Sequence, residues 1–212
     1  MSAPERRPRG RPVGGGNTAE QAREVLMDAA EHLFVTRGYR AATMEVIARE
    51  AGYSRTAIYR QFANRDELVA AMVQRTTQRH MASILSRMPA GAGPVDLLVE
   101  SLVIVASELV SDPLLNTIAD QTGDGTIASL IANDSGLTEL VKSTVETVVA
   151  DGTPFRPGLH PNDLAQFIIA TALSFLMKTV PGVTDPAVAR SYIETFILPA
   201  ILPESPPPRR VF

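Results

Sequence analysis

The chain has no cysteine. That excludes disulfides, thiolate nucleophiles and cysteine-based zinc sites, and it fits a reducing compartment. It also lacks any run of about 18 or more uncharged apolar residues, so no membrane span is expected. The most apolar stretch, 96–110, is interrupted by Asp96, Glu100 and Glu108. The N-terminal region is basic but has no apolar segment of the signal-peptide kind, so a cytoplasmic location is expected. Period-two alternation is almost missing, which argues against strands, and no internal repeat is visible. Lysine is scarce, at two of the twenty basic residues. A GC-rich genome produces the same bias, so arginine usage alone says little about DNA contact.

Enzymatic equipment is missing too. The three histidines, His32, His80 and His160, are scattered, with none at metal-ligand spacing from another. Glu31-His32 lacks the second histidine that a zinc-protease helix requires. Gly14–Gly16 sits in an arginine-rich arm rather than between a strand and a helix, so it is no phosphate cradle, and no nucleophile elbow occurs. No enzymatic activity, cofactor or metal is expected.

What remains is a 212-residue globular chain, 45% hydrophobic, large enough for one large or two small domains. Its net charge of −3 does not by itself suggest a polyanionic partner. The distribution does. Residues 1–63 carry ten Arg against seven acidic residues, while 64–212 carry ten basic against sixteen acidic. A basic front and an acidic back imply that only the front meets nucleic acid.

Residues 1–17 are read as a disordered basic arm and 203–212 as a disordered tail. Everything between them reads as helix. The first helix has Ala22, Val25, Leu26, Ala29, Ala30, Leu33 and Phe34 as an apolar stripe, with Thr18 and Gln21 as a capping box and Gly38 as its stop. A second helix follows Thr43 to about Ala51, a third runs from Ser54 to Phe62, and a fourth follows the Asn64/Glu67 cap toward Leu85. Pro94, Asp112–Pro113, Pro161 and Asp185–Pro186 start later helices. One more is placed at about 136–150. Gly123, Gly125 and 133–136 read as breakers, giving nine helices in all.

The second and third helices are joined by Ala51-Gly52-Tyr53-Ser54, a tight turn that lets two helices cross steeply. Ala48 and Ala51 are small enough for close approach. Ile47, Ile58 and Phe62 lock both helices to the first. The other face of the third helix then offers Arg55, Thr56, Tyr59, Arg60 and Gln61, hydrogen-bonding groups suited to a major groove or its phosphates.

Residues 42–68, ATMEVIAREAGYSRTAIYRQFANRDEL, resemble the DNA-binding signature of the TetR family of bacterial transcription regulators. The match lies in Thr43, Ile47, Ala48, Ala51-Gly52, Ser54, Ile58-Tyr59, Phe62, Arg65, Glu67 and Leu68. The resemblance implies an all-α fold. A helix-turn-helix domain at 18–63 would be joined by a long helix to an effector-binding and dimerisation domain at 64–202. It further implies that Thr43 holds a phosphate, that Arg55, Thr56 and Ala57 face base edges, and that Tyr59 grips a phosphate, with Ser54, the cap of the third helix, counted in the same DNA-binding set. Arg65 would contact the backbone from the start of the fourth helix. Tyr53, Arg60 and Gln61 depart from the usual pattern, which bears on the operator sequence rather than on docking.

In the arm, Pro8-Arg9-Gly10-Arg11-Pro12 resembles an AT-hook core, with Arg9 and Arg11 entering a narrow A·T minor groove. The alternative is a solvated basic arm acting through counterion release.

The resemblance assigns the C-terminal helices to effector binding and dimerisation. Candidates for a pocket are Met81, Leu102, Val105, Leu109, Ile118, Gln121, Thr144, Val148, Thr171 and Phe175, each also readable as plain core. Leu164, Phe167, Ile168, Tyr192, Ile193, Phe196 and Ile197 are candidates for a four-helix dimer interface, or else internal core. Lys178 is readable either as a contact for an anionic effector or as a surface residue. The expected function is a homodimeric regulator, in the family's manner a repressor. It would bind a palindromic operator at the nucleoid and be released by a small, largely apolar effector. The competing reading is a ligand-independent architectural DNA-binding protein.

Overall fold

The computed structural model describes residues 18–88, 90–150, 152, 155–204, 207, 210 and 211, apart from the side chain of Asp124. The arm, with Arg9 and Arg11, lies outside the described residues. Among those described, all regular structure is helical.

α1 (Ala19–Arg37) opens with the anticipated reciprocal box: Gln21 N donates to Thr18 Oγ1, and Thr18 N donates to Gln21 Oε1. Gly38, at φ 83°, ends it. The core stripe is as read except at Val25, which is exposed, while Met27 is buried in its place. α2 (Met44–Glu50) and α3 (Arg55–Gln61) are capped by Thr43 and Ser54, whose hydroxyls accept from Val46 N and Ala57 N. Each such cap contributes about 1 kcal/mol. The turn between them is a Schellman motif. Tyr53 N donates to Ala48 O at 2.8 Å and Gly52 N to Arg49 O at 3.2 Å. Gly52, at φ 74°, occupies the left-handed position the motif requires. α4 (Arg65–Arg87) begins under Asn64, which accepts from Glu67 N. Glu67 in turn accepts from Ala63 N, one residue further out than a strict capping box.

The C-terminal part comprises α5 (Pro94–Ile104), α6 (Pro113–Thr122), α7 (Asp124–Ala132), α8 (Ser135–Ala150), α9 (Pro161–Leu176), α10 (Pro186–Tyr192) and α11 (Leu198–Ile201). The four proline starts stand where the sequence places them. α7 was not anticipated. Gly123, at φ 89°, does stop α6, but Gly125 lies inside the next helix, whose Ile127 and Ile131 are buried. That burial outweighs the propensity cost of one glycine, about 1 kcal/mol.

Two helices also carry π turns. One, Val105–Leu109, follows α5. The other, Ile193–Ile197, separates α10 from α11. Pro199 lies four residues beyond Thr195 and cannot donate to its carbonyl, a sufficient local reason for the second.

The hydrophobic core does not stop at residue 63. One cluster joins α1–α3 to Leu68, Met72 and Val73 of α4, then to Leu114, Leu115 and Ile118 of α6 and Ile127 of α7. A second joins α5, α8, α9, α10 and the last π turn around Phe175 and Ile193. α4 runs from the first cluster to a cavity beside the second.

Candidate nucleic-acid interface and ligand cavity

α3 is anchored on one side and open on the other. Ile58 and Phe62 are fully buried, and each such side chain contributes roughly 1.5–3 kcal/mol. Opposite them, Arg55, Thr56, Tyr59 and Arg60 are exposed, as are Thr43 and Ser54, while Ala57 and Gln61 are half-buried. The structure thus brings the residues of the reading face together on one short helix and its caps.

Three contacts set the posture of that face. Arg23 of α1 donates from Nη1 to Gln61 O at 2.7 Å and lies 4.2 Å from the centre of the Phe62 ring. It tethers the C-terminal end of α3, where a cation is favoured by the helix dipole. Glu45 of α2 pairs with Arg55, Oε1 to Nε 3.1 Å, and the same oxygen is 3.5 Å from the Tyr59 hydroxyl. Arg55 also leans toward the Tyr59 ring, 5.7 Å from its centre.

Arg65 departs from expectation. Its guanidinium donates to the Tyr39 carbonyl, stacks 3.9 Å from the centre of the Tyr39 ring, and lies 5.4 Å from that of Phe34. Its Nε is buried without a partner. Rather than a side chain held out to a phosphate, it fastens the loop after α1 to the start of α4.

Further along α4, Arg75 bonds Asp28 at 2.7 Å, Glu31 at 2.8 Å and Glu24 at 3.1 Å. Burial works against its charge, yet the hydrogen bonds of Glu24 and Asp28 raise its pKa overall. Arg79 adds a bond to Glu31 at 2.9 Å. Sequence reasoning missed this clamp. A signal existed: Glu24, Asp28 and Glu31 recur every three to four residues on α1, an acidic stripe that calls for cations on a neighbour.

The same helix then borders a cavity of about 370 Å³. Its walls come from Thr77–Leu85 of α4, Pro94–Leu102 of α5, Val105 and Leu109 of the first π turn, Ile131 of α7, Leu137–Val148 of α8, Phe155, and Leu164–Leu176 of α9. Of the ten pocket candidates, Met81, Leu102, Val105, Leu109, Thr144 and Val148 line it. The other four do not. Ile118 is in the first core cluster, and Gln121 is exposed near the end of α6. Thr171 donates its hydroxyl to Phe167 O, and Phe175 packs edge-on against Tyr192. Lys178 lies just beyond α9, exposed, and does not border the cavity. His80, which sequence reasoning left unassigned, does. Its Nε2 is 3.1 Å from Asp112 Oδ2, and Asp112 Oδ1 caps α6 by accepting from Leu114 N and Leu115 N.

The dimer candidates divide. Leu164, Ile193 and Ile197 are buried within the chain, and Leu164 and Ile168 border the cavity. They have little surface left for a partner. Phe167 and Phe196 remain 37% and 51% exposed, and the Tyr192 ring lies tilted against Phe196, 5.1 Å between centres.

Comparison with known proteins bears on both halves. Residues 26–72 match the family model described as bacterial regulatory proteins, tetR family. Over 197 residues the chain is 29% identical to an uncharacterized HTH-type transcriptional regulator of Mycobacterium tuberculosis, covering 90% of this chain and 91% of that one. Over 87 residues it is 43% identical to the HTH-type transcriptional activator FasR of Mycolicibacterium smegmatis, covering 39% and 38%. Among solved structures it resembles the R. erythropolis transcriptional repressor QsdR of the TetR family, with TM-score 0.58, 18% identity and coverage of 82% and 93%. It also resembles the fatty acid degradation regulator FadR of Bacillus halodurans, with TM-score 0.56, 19% identity and coverage of 82% and 95%. At those identities the structures establish a common fold.

Proposed function

The chain belongs, through its N-terminal helices, to the tetR family of bacterial regulatory proteins, and on that premise we propose that it is a homodimeric, effector-released repressor. The observation that carries the reading is α3, fully buried along Ile58 and Phe62 and open along Arg55, Thr56, Tyr59 and Arg60. Such a helix enters a major groove with its N-terminal residues at base edges. Arg55, Thr56 and Ala57 read bases, with Arg60 and Gln61 further along the helix. Thr43 and Tyr59 meet phosphates, Ser54 caps the helix at the DNA surface, and Arg9 and Arg11 add contacts from the arm. Arg65 acts through the posture of the domain.

A helix this short reads few base pairs, so two copies related by a two-fold axis are needed. The exposed Phe167, and separately Phe196 beside Tyr192, supply apolar surface for that contact. The cavity supports an effector-responsive protein over a purely architectural one. α4 lines it from Thr77 to Leu85, carries the Arg75 clamp in its middle and part of the first core toward its N-terminal end. An effector that binds the two positions of α4 unequally shifts the spacing of the reading helices. The DNA-binding role implies a place at the nucleoid, and no helix among the described residues is long and apolar enough to cross a membrane.

The test is a mobility-shift series on inverted repeats found in the DNA flanking the coding region, with a reporter fused to the shifted site. Expected results are a two-fold-symmetric footprint and higher reporter output on deletion of the gene. Lower output would make it an activator. No shift with any flanking DNA would overturn the reading.

A further inference from the structure

We infer that the cavity selects a neutral amphiphile, an elongated apolar molecule with one hydrogen-bond-donating head that His80 accepts. The inference rests on the effector reading above.

Among the described residues, the lining holds no Lys, Arg, Asp or Glu. Its polar side chains are Thr77, His80, Ser101 and Thr144. Two of the three hydroxyl protons are already used. Thr77 Oγ1 donates to Val73 O at 3.0 Å, and Thr144 Oγ1 to Leu140 O at 2.7 Å. What these two groups still offer is lone pairs.

His80 is held the same way. Asp112 sits at the N-terminus of α6, accepting two backbone N–H bonds where the helix dipole favours an anion. The Nε2 contact with Asp112 Oδ2 places a ring proton on Nε2. In that tautomer Nδ1 is an acceptor, and no hydrogen bond to Nδ1 occurs among the described residues. The polar inventory of the cavity is therefore weighted toward acceptors and suits an alcohol or an amide N–H.

A carboxylate head meets the opposite conditions. Among the lining residues it finds no fixed cation, and the imidazole already serves Asp112. Its charge would be buried among aliphatic side chains with one shared partner, an arrangement that is costly. The apolar body of the ligand has room to extend. From Thr77 to Leu85 the cavity follows α4 for about 12 Å.

The experiment is displacement of the neutral dye N-phenyl-1-naphthylamine from the full-length protein by 1-decanol or decanoate at pH 7.5. Thermal shift serves as a second readout. Decanol is expected to displace the dye at roughly tenfold lower concentration than decanoate, the worth of one buried hydrogen bond. His80→Leu should weaken displacement by decanol and so lower that ratio, while the cost of burying the carboxylate keeps it above one. His80→Gln, which restores a carbonyl acceptor, should recover most of the loss. Equal displacement by the two probes, or a ratio unchanged in His80→Leu, would overturn the assignment to His80 while leaving a working cavity. If the dye does not bind and neither probe shifts the melting temperature, the effector reading itself fails, and this inference with it.

Discussion

Glu45 on α2 and Arg55 on α3 face each other across the helix-turn-helix, with Glu45 Oε1 3.1 Å from Arg55 Nε. The pair is exposed, so it adds little to stability. Its importance is for DNA, because it places a negative charge beside the first residue of the reading helix and holds Arg55 in one orientation. Glu45→Gln is expected to tighten binding to all duplexes about two- to fivefold, the range of one exposed charge interaction. Arg55→Ala is expected to narrow the gap between operator and scrambled DNA by about 1–3 kcal/mol. Fluorescence anisotropy against both duplexes at several salt concentrations separates the two effects.

Arg65 is expected to act on stability first. Its hydrogen bond to the Tyr39 carbonyl and its stacking on the Tyr39 ring together are worth about 2 kcal/mol. Arg65→Ala should lower the urea midpoint accordingly. Arg65→Lys should recover little, since an ammonium cannot stack as a plane. An unchanged midpoint alongside weakened DNA binding would restore the phosphate-contact role that the family resemblance implies.

The dimer candidates give contrasting outcomes. Phe196→Ser removes an exposed ring and is expected to leave the fold intact while shifting sedimentation velocity profiles toward monomer at low concentration. Ile193→Ser alters a fully buried side chain and should cost about 3 kcal/mol or more in stability. If Phe196→Ser remained a dimer at every concentration, the contact would have to lie elsewhere.

Arg87 and Glu108 form a two-pronged pair between the end of α4 and the first π turn, at 2.7 and 2.9 Å. The hydrogen bonds from Arg87 hold the Glu108 carboxyl below its ordinary value despite slight burial. A folded-state pKa below the unfolded one means the unfolded chain binds more protons in the window between them. Stability from this pair is therefore fully present above the ordinary carboxylate value of about 4.3 and is lost as pH falls through the lower folded value. The melting temperature of Glu108→Gln should lie below that of the native chain at neutral pH and converge with it in acid. A constant gap down to pH 3 would show that the pair does not titrate as a unit.

Local chemistry was legible without a structure. Thr18, Thr43, Ser54, Asn64 and Asp112 each cap the helix expected of them, and Gly38 and Gly52 end theirs. These features depend on residues within three or four positions of one another, and the backbone groups they satisfy are fixed once the helix forms. The reading face of α3 follows for the same reason. With Ile58 and Phe62 buried, helical spacing leaves Arg55, Thr56 and Tyr59 outward.

Long-range choices were not legible. Gly125 breaks helices by propensity, yet lies within one because Ile127 and Ile131 find a core to enter. Thr171 and Phe175 look like Thr144 and Val148 in composition. Which of them face the cavity depends on how α8 and α9 pack, and on a hydroxyl bonding to its own helix. The sequence therefore determined the helices, their ends and the exposed side of the reading helix, because those are settled by neighbours along the chain. The tertiary structure alone decided that Arg65 turns inward, that His80 joins the cavity to the cap of α6, and that Phe196 stays outside while Ile193 does not. Each of those depends on residues far away in the chain, brought close only by packing.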